Sequence, residues 1–189
     1  MTRITRTGGA LIVLALLGLF PGATLLQGQD FKAEQPVAMT APGQAPEIAM
    51  VNLLAKQLNL KIKSDPMLPP EELVGIKTLI LILGASGKGL GEAGVDLRSE
   101  TRRAQALISA AKRRGIKLIG MHLGGVMRRG ENSQVMIDAA AASLDFLVVR
   151  SDGNKDGLFT KMAKDQKIPL VQVEKTLQVG EVLKKIFTL

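Results

Sequence analysis

The chain has 189 residues, enough for one domain with a sizeable core but too few for two domains of ordinary size. It contains no cysteine, which excludes disulfides, thiol catalysis and cysteine-based zinc sites, and its single histidine excludes a histidine-rich metal site. The formal net charge of +8 favours anionic ligands or surfaces. Nucleic acid is not predicted as a partner, because aromatic residues are scarce and the basic residues are spread along the chain. We predict no bound metal and no cofactor.

The N-terminal segment, residues 1–28, has the pattern of a secretory signal peptide. Arg3 and Arg6 form a basic start without acidic residues, residues 8–20 are an apolar run, and Pro21 follows as a helix breaker. A basic region, an apolar region of about a dozen residues and a break are the parts of such a signal. The sequence therefore predicts an exported protein.

An uncleaved membrane anchor is the alternative for the same segment. Leu25 and Leu26 extend the apolar stretch towards the length that spans a bilayer. A lipid anchor is excluded because there is no cysteine to modify. In either case residues 29–35 are predicted as a linker, and residues 36–189 as a single domain that is secreted or held at the membrane by its N-terminus.

The first half of this domain alternates strand and helix patterns. Residues 36–40 predict a short strand, and residues 46–58 predict a helix that opens on a proline and has apolar residues at helical spacing. Residues 60–64 alternate apolar and basic side chains, as an edge strand does. Residues 78–83 are an uncharged apolar run, and five glycines follow within residues 84–94. This pattern predicts a central strand that is buried on both faces and delivers the chain into a glycine loop.

The second half continues the alternation, with helices predicted over residues 97–114, 132–143, 158–165 and 180–187, and strands over residues 116–122, 145–150 and 168–173. Glu100 and Arg103 are assigned to the polar face of the first of these helices. Asn132 or Ser133 is expected to cap the second, and Pro169 predicts an edge position for the last strand. Alternating strands and helices with short connections predict a three-layer α/β/α domain. Its sheet is expected to be open and mostly parallel, with five to six strands in a flavodoxin-like or Rossmann-like order.

The loops that follow four of these strands carry most of the unusual residues. In open α/β sheets such loops meet at the carboxyl edge, where ligands bind. A serine hydroxyl, a lysine and the amides of a glycine loop can hold an oxyanion, and an arginine fork suits a carboxylate or phosphate. We therefore predict a site for a small anionic molecule, with these candidate ligand-binding residues: Ser86, Gly87, Lys88, His122, Arg128, Arg129, Asp152 and Asn154.

The glycine loop resembles three known motifs and satisfies none. A Walker loop fails because Gly89 follows Lys88 where serine or threonine is required. The G-x-G-x-x-G at residues 89–94 begins about six residues after the strand and contains an acid, and Lys88 replaces the last glycine of G-x-S-x-G. Asp152 and Asn154 begin a calcium-loop spacing that lacks its final glutamate, so we expect them to set a turn.

Three segments of the chain resemble a known family: ILGASGKGLGEAGVD, IGMHLGG with RRGENS, and SDGNKDGLFTKMA. They are similar to a family of exported bacterial proteins classed as a domain of unknown function, and the resemblance extends over residues 37–187. It implies an exported bacterial α/β domain with the glycine loops as its signature. It assigns no activity and transfers no catalytic role to any residue.

Three functions remain open at this point. The first is an exported binding protein for a small anionic ligand, favoured over an enzyme because nucleophile and metal motifs are missing. The second is a hydrolase or transferase that uses His122 with an acidic partner for proton transfer. The third is a cell-surface structural or partner-binding module that self-associates. For each loop cation, the structural alternative is a solvated charge paired with a neighbouring carboxylate.

Overall fold

The structure, a computed structural model, describes residues 31–189. The predicted signal peptide or anchor, and the start of the predicted linker, lie outside these residues. Within residues 31–189, no helix combines the length and the apolar character that a bilayer crossing requires.

Six parallel strands form one sheet in the order β2-β1-β3-β4-β5-β6. Their bounds are β1 Val37–Thr40, β2 Ile62–Ser64, β3 Thr78–Ile82, β4 Lys117–His122, β5 Phe146–Arg150 and β6 Leu170–Val173. This is the flavodoxin-like order extended by a sixth strand. The predicted α/β fold class is therefore confirmed, and the two strands predicted as edges, β2 and β6, lie at the edges.

Helices cover both faces of the sheet, which explains why β3 is apolar throughout. The helices are α1 Glu47–Gln57, α2 Gly87–Glu92, α3 Leu97–Arg113, α4 Glu131–Ala141, α5 Leu158–Gln166 and α6 Val179–Phe187. Ile80 and Ile82 of β3 pack in a core with α1 and α6, whereas Leu79 and Leu81 pack in a second core with α3, α4 and α5. Because successive strand side chains point to opposite faces, a strand covered on both sides requires an unbroken apolar run.

Local structure differs from the sequence prediction at two places. Part of the expected glycine loop is helical, because α2 begins directly after Ser86. Helix α4 begins at Glu131 with Gly130 at its cap, so the predicted cap by Asn132 or Ser133 is wrong. The Ser133 hydroxyl is used elsewhere: it accepts a hydrogen bond from the backbone N–H of Ala85 at 2.9 Å.

The predicted linker is packed where it is described. The Phe31 ring stacks on Phe146, the first residue of β5, with 4.7 Å between ring centres. The Ala33 N–H donates to the Ile186 carbonyl at 2.8 Å, and the Thr78 hydroxyl at the start of β3 donates to the Glu34 carbonyl at 2.7 Å. Residues 31–34 thus bring the chain into the domain at the amino edge of the sheet.

Candidate functional site

An open groove of about 790 Å³ lies at the carboxyl edge of the sheet, above neighbouring strands β1 and β3. Helix α1, which follows β1, and helix α3, which follows β3, lie on opposite faces of the sheet. This divergence is the topological switch point where ligands bind in open α/β sheets. The walls come from residues 44–46 after β1, residues 66–67 after β2, residues 86–89 and Arg128.

Two glycines allow the loops under the groove to approach one another. Gly43 has a φ of +83°, and a Cβ there would lie 2.5 Å from the Gly84 carbonyl oxygen. A Cβ at Gly89 would lie 2.6 Å from the Gln44 carbonyl oxygen. These glycines are therefore required for the packing of α2 against the loop after β1.

The first three candidate residues form the start of α2 at the groove. Ser86 is buried, and its hydroxyl caps the helix by accepting a hydrogen bond from the Gly89 N–H at 3.2 Å. Gly87 is exposed and has no heavy atom near the position of a Cβ. The Lys88 side chain is 86% exposed, and its Nζ lies 3.6 Å from Glu92 Oε1. Gly87 and Lys88 belong to the first helical turn, whose N–H groups have no acceptor within the helix.

Arg128 reaches the groove from the short turn that follows β4. Its Nε lies 3.5 Å from Glu47 Oε1, and its Nη1 donates to the Ala85 carbonyl at 3.3 Å. Within residues 31–189, its Nη2 donates no hydrogen bond. The side chain is 28% exposed. Arg128 is thus a partly buried guanidinium in the groove wall with donor capacity to spare.

His122 lies inside the protein at the end of β4. It is fully buried, and its ring stacks on Phe159 with 5.0 Å between ring centres. Its Nδ1 is 2.9 Å from the Leu83 carbonyl oxygen, and its Nε2 is 3.3 Å from that of Gly125. Burial lowers the pKa of His122, and the two carbonyls oppose this effect only in part. The ring is therefore neutral near pH 7.

Arg129 and Asp152 are each held in an ion pair with a neighbouring side chain. Arg129 donates to the Gly153 carbonyl and to both carboxylate oxygens of Asp156, at 3.1 and 2.8 Å. Arg150 donates to both oxygens of Asp152, at 2.7 and 2.6 Å. Each arginine holds the pKa of its partner carboxyl below its usual value. Pairing with neighbouring carboxylates thus accounts for these charges.

The Asn154 side chain binds the first turn of α5 from the loop that precedes the helix. Its Oδ1 accepts from the Phe159 N–H at 2.9 Å, and its Nδ2 donates to Thr160 Oγ1 at 2.8 Å and to Gln172 Oε1 at 3.3 Å. The structure therefore divides the eight candidates. Four of them lie in the groove: Ser86, Gly87, Lys88 and Arg128. The other four make hydrogen bonds and ion pairs that hold the loops after β4 and β5: His122, Arg129, Asp152 and Asn154.

The sequence analysis missed a buried ion pair that supports the groove from below. Glu100 is 1% exposed, and it accepts hydrogen bonds from the Gly43 N–H at 3.1 Å and from Gln44 Nε2 at 2.9 Å. Arg103 donates to both of its oxygens, at 2.7 and 2.9 Å. The assignment of Glu100 to the exposed face is therefore wrong. A signal was present, since Glu100 precedes the apolar Ala104 by four residues and so lies on the buried stripe of α3.

Burial of Glu100 favours its protonated form, but the donors around it decide the outcome. The hydrogen bonds and charge of Arg103, with smaller contributions from Gln44 and Gly43, hold the pKa of Glu100 below its usual value. The carboxylate is therefore ionised at neutral pH and fixes the loop after β1. Among residues 31–189, no three His, Asp or Glu side chains cluster in a way that could hold a metal ion.

Two solved structures match parts of the chain weakly. One is a GDSL-like lipase from Bacteroides thetaiotaomicron VPI-5482, with 13% identity, a TM-score of 0.33, and coverage of 72% of this chain and 66% of that one, slightly under two thirds of its length. The other is a putative acylhydrolase from Bacteroides fragilis NCTC 9343, with 13% identity, a TM-score of 0.34, and coverage of 75% and 70%. Similarity this weak assigns no activity.

The sequence comparisons identify the family. Among curated proteins, no significant match to the chain was found. Residues 34–187 match the profile of the family described as Domain of unknown function (DUF6305), and the match spans the sheet, all six helices and the groove. The chain is a member of the DUF6305 family.

Proposed function

We propose that the groove above β1 and β3 binds a small molecule through a carboxylate or phosphate group held at Arg128. The observation that carries the proposal is the state of this side chain. Arg103, Arg129 and Arg150 each donate to both oxygens of a carboxylate. Arg128 instead has one Nε–Oε1 approach of 3.5 Å and an Nη2 without a protein acceptor in the described part of the chain.

The charges of the groove fit a ligand with a single anionic group and a low net negative charge. Lys88 and Arg128 are accompanied by Glu92 and Glu47, so the groove is not strongly cationic. Both pairs are long, at 3.6 and 3.5 Å, and long pairs near solvent contribute little stability. A bidentate contact between a ligand oxyanion and Arg128 is stronger than the existing contact with Glu47.

The rest of the groove favours an apolar ligand body. Ala45, Pro46 and Ile48 line one side, and Met67 and Ala93 line others. Apolar walls with a few placed polar groups are typical of small-molecule sites, since the walls exclude water and the polar groups fix orientation. We therefore propose an amphipathic ligand, such as an organic acid with a hydrocarbon portion.

The geometry does not favour the enzymatic alternative. His122 is fully buried, and both of its ring nitrogens lie next to backbone carbonyls. A general acid or base must come within hydrogen-bond reach of the substrate. A surface substrate does not reach His122 unless the loops after β4 and β5 open. Self-association remains a prediction, to be measured by light scattering in solution.

The test is thermal unfolding in the presence of inorganic phosphate, short- and medium-chain carboxylates, sugar acids and nucleotides. A ligand at 100 times its Kd stabilises the folded state by about 2.7 kcal/mol. We expect at least one anion to raise the Tm of the native protein, and the Lys88→Ala/Arg128→Ala variant to lose this response.

The matched control is Arg98→Ala/Arg102→Ala, which removes two exposed positive charges from α3 outside the groove. It should respond as the native protein does. If no anion stabilises the native protein, or if both double variants respond equally, the groove is not the anion site.

A further inference from the structure

The net positive charge of the described domain is concentrated at the amino edge of the sheet. We define this edge as residues 31–36 and 70–77 together with the C-terminal ends of α1, α3, α4, α5 and α6 and the residues that follow them, which are residues 54–62, 110–117, 138–146, 163–170 and 184–189. Residues 31–189 contain 23 Lys and Arg, the total of 25 less Arg3 and Arg6, and 16 Asp and Glu, the total of 17 less Asp30. The edge holds 12 of these basic residues and 6 of the acidic ones. Its net charge is +6, whereas the remainder of the domain, with 11 basic and 10 acidic residues, is close to neutral.

Chain direction produces this concentration. In a parallel sheet with helical crossovers, every helix runs antiparallel to the strands, so helices that follow β1, β3, β4, β5 and β6 all end at the same edge. A cation in the last turn of each helix is favoured by the helix dipole. The dipole explains one or two cations at each end, but α3 ends in three consecutive exposed cations, Lys112, Arg113 and Arg114. Lys77 and Lys167 are exposed outside any helix.

The chain also enters the domain at this edge. Phe31 stacks on Phe146 at the start of β5, and Lys117 at the start of β4 donates to the carbonyl of Lys32 and pairs with Glu34 at 3.0 Å. The apolar run of residues 8–20 precedes this point by about ten residues in the sequence. A membrane that receives this run would therefore face the cationic edge, and the groove at the carboxyl edge would open away from the membrane.

We infer that the amino edge is a docking surface for an anionic membrane, with exposed Lys and Arg side chains paired to lipid phosphates. Basic residues close to an anionic leaflet are each attracted to it, and the attraction is screened by salt. Membrane lipid fits better than nucleic acid because of the apolar run that leads into the edge and because the chain has few aromatic residues for base stacking. The inference is independent of what the groove binds.

The absence of cysteine makes a direct test possible. Two single-cysteine variants of the full chain, Arg113→Cys at the amino edge and Lys155→Cys after β5, carry the same fluorophore. Each is mixed with vesicles of phosphatidylcholine alone or with about a third phosphatidylglycerol, both containing a headgroup-quencher lipid. We expect the label at position 113 to be quenched strongly only with phosphatidylglycerol at low salt, and the label at position 155 to be insensitive to lipid charge. The N-terminal segment carries Arg3 and Arg6, so tethering through it also depends on lipid charge; tethering brings the whole domain to the membrane, and the difference between the two labels therefore isolates docking through the amino edge.

Charge variants complete the test. In the Arg113→Cys background, Lys112→Gln/Arg114→Gln should reduce the docked fraction roughly tenfold or more, as expected for two basic residues next to an anionic leaflet. The matched control is Arg98→Gln/Arg102→Gln, which removes the same charge elsewhere and should have no effect.

Three outcomes would overturn the inference: equal quenching in both lipid mixtures, equal quenching of both labels, or equal effects of the two charge variants. If the Lys112→Gln/Arg114→Gln change instead abolishes binding to a labelled oligonucleotide and leaves quenching unchanged, the partner is nucleic acid and the lipid assignment is wrong.

Discussion

Replacement of Glu100 by alanine should destabilise the domain more than any exposed substitution on the same helix. The carboxylate is 1% exposed and accepts two hydrogen bonds from Arg103, one from the Gly43 N–H and one from the Gln44 amide. Removal leaves a guanidinium whose side chain is only 13% exposed without its counter-charge. Breaking a buried pair from one side costs about 3–5 kcal/mol. This is a large part of the roughly 5–15 kcal/mol that stabilises a typical domain.

The measurement is urea unfolding followed by far-ultraviolet circular dichroism, because the chain has no tryptophan or tyrosine to report unfolding by intrinsic fluorescence. Arg98→Ala, on the exposed side of α3, is the matched control and should stay within about 0.5 kcal/mol of the native protein. In the double variant Glu100→Ala/Arg103→Ala, no unpaired charge remains, so its cost should be well below the sum of the two single costs.

The pH dependence of Glu100→Gln provides a second check. Because the folded pKa of Glu100 lies below its usual 4.5, the ionised carboxylate stabilises the native state above that pH. This stabilisation is lost as the pH falls from 4.5 through the folded pKa. The glutamine variant should lack this component. A broken buried pair costs at least about 3 kcal/mol. If the free energies of unfolding of Glu100→Ala and Arg98→Ala differ by less than about 1 kcal/mol, Glu100 does not support the loop after β1.

Three further predictions concern stability. Because burial lowers the pKa of His122, the native protein should lose stability as the pH falls below about 6.5, by up to roughly 1.4 kcal/mol per pH unit. His122→Phe should abolish this dependence of the free energy of unfolding on pH between pH 7.5 and 5. An unchanged dependence would assign it to another group. Gly43→Ala should cost about 2 kcal/mol or more, because φ is +83° and the added Cβ would lie 2.5 Å from the Gly84 carbonyl oxygen. Gly91→Ala in α2 is the control and should be neutral or stabilising, because a Cβ there has open space around it. Leu107→Ala should cost roughly 2–5 kcal/mol as a fully buried side chain of α3, and a cost near zero would contradict the packing of α3 on the sheet. Urea midpoints measure all three.

The fold could be predicted because its local signals agree with one another. Residues 78–83 have no charge because β3 is covered on both faces, and the alternation of apolar and basic side chains in residues 60–64 reflects an edge strand. Each of these patterns is a direct record of the environment of one strand. Helix starts were less predictable. Ser133 has the chemistry of a cap, but its hydroxyl is taken by the N–H of Ala85, which is 48 residues away in the sequence.

The candidate site was predictable as a location, but the role of each side chain was not. Ser86, Lys88 and Arg128 come together because parallel strands deliver their loops to one edge. His122 and Arg129 come from the same edge but point inward, where Phe159 packs against both. Whether a side chain faces a groove or the core depends on rotamers and on neighbours from other loops, which no local pattern encodes.

The sequence by itself determined the alternation of strands and helices along the chain, the absence of cysteine chemistry, and the strand whose loop forms one wall of the groove. The tertiary structure decided which arginines of residues 31–189 have a carboxylate that accepts from two of their nitrogens, and at which edge of the sheet the positive charge is concentrated. In the sequence the basic residues are dispersed, yet 12 of the 23 in residues 31–189 meet at the amino edge, because the helices that follow parallel strands all end there. Arg129 likewise donates to both carboxylate oxygens of Asp156, whereas Arg128 has a single approach of 3.5 Å to Glu47 Oε1, because only Arg129 has a carboxylate placed to accept from two of its nitrogens.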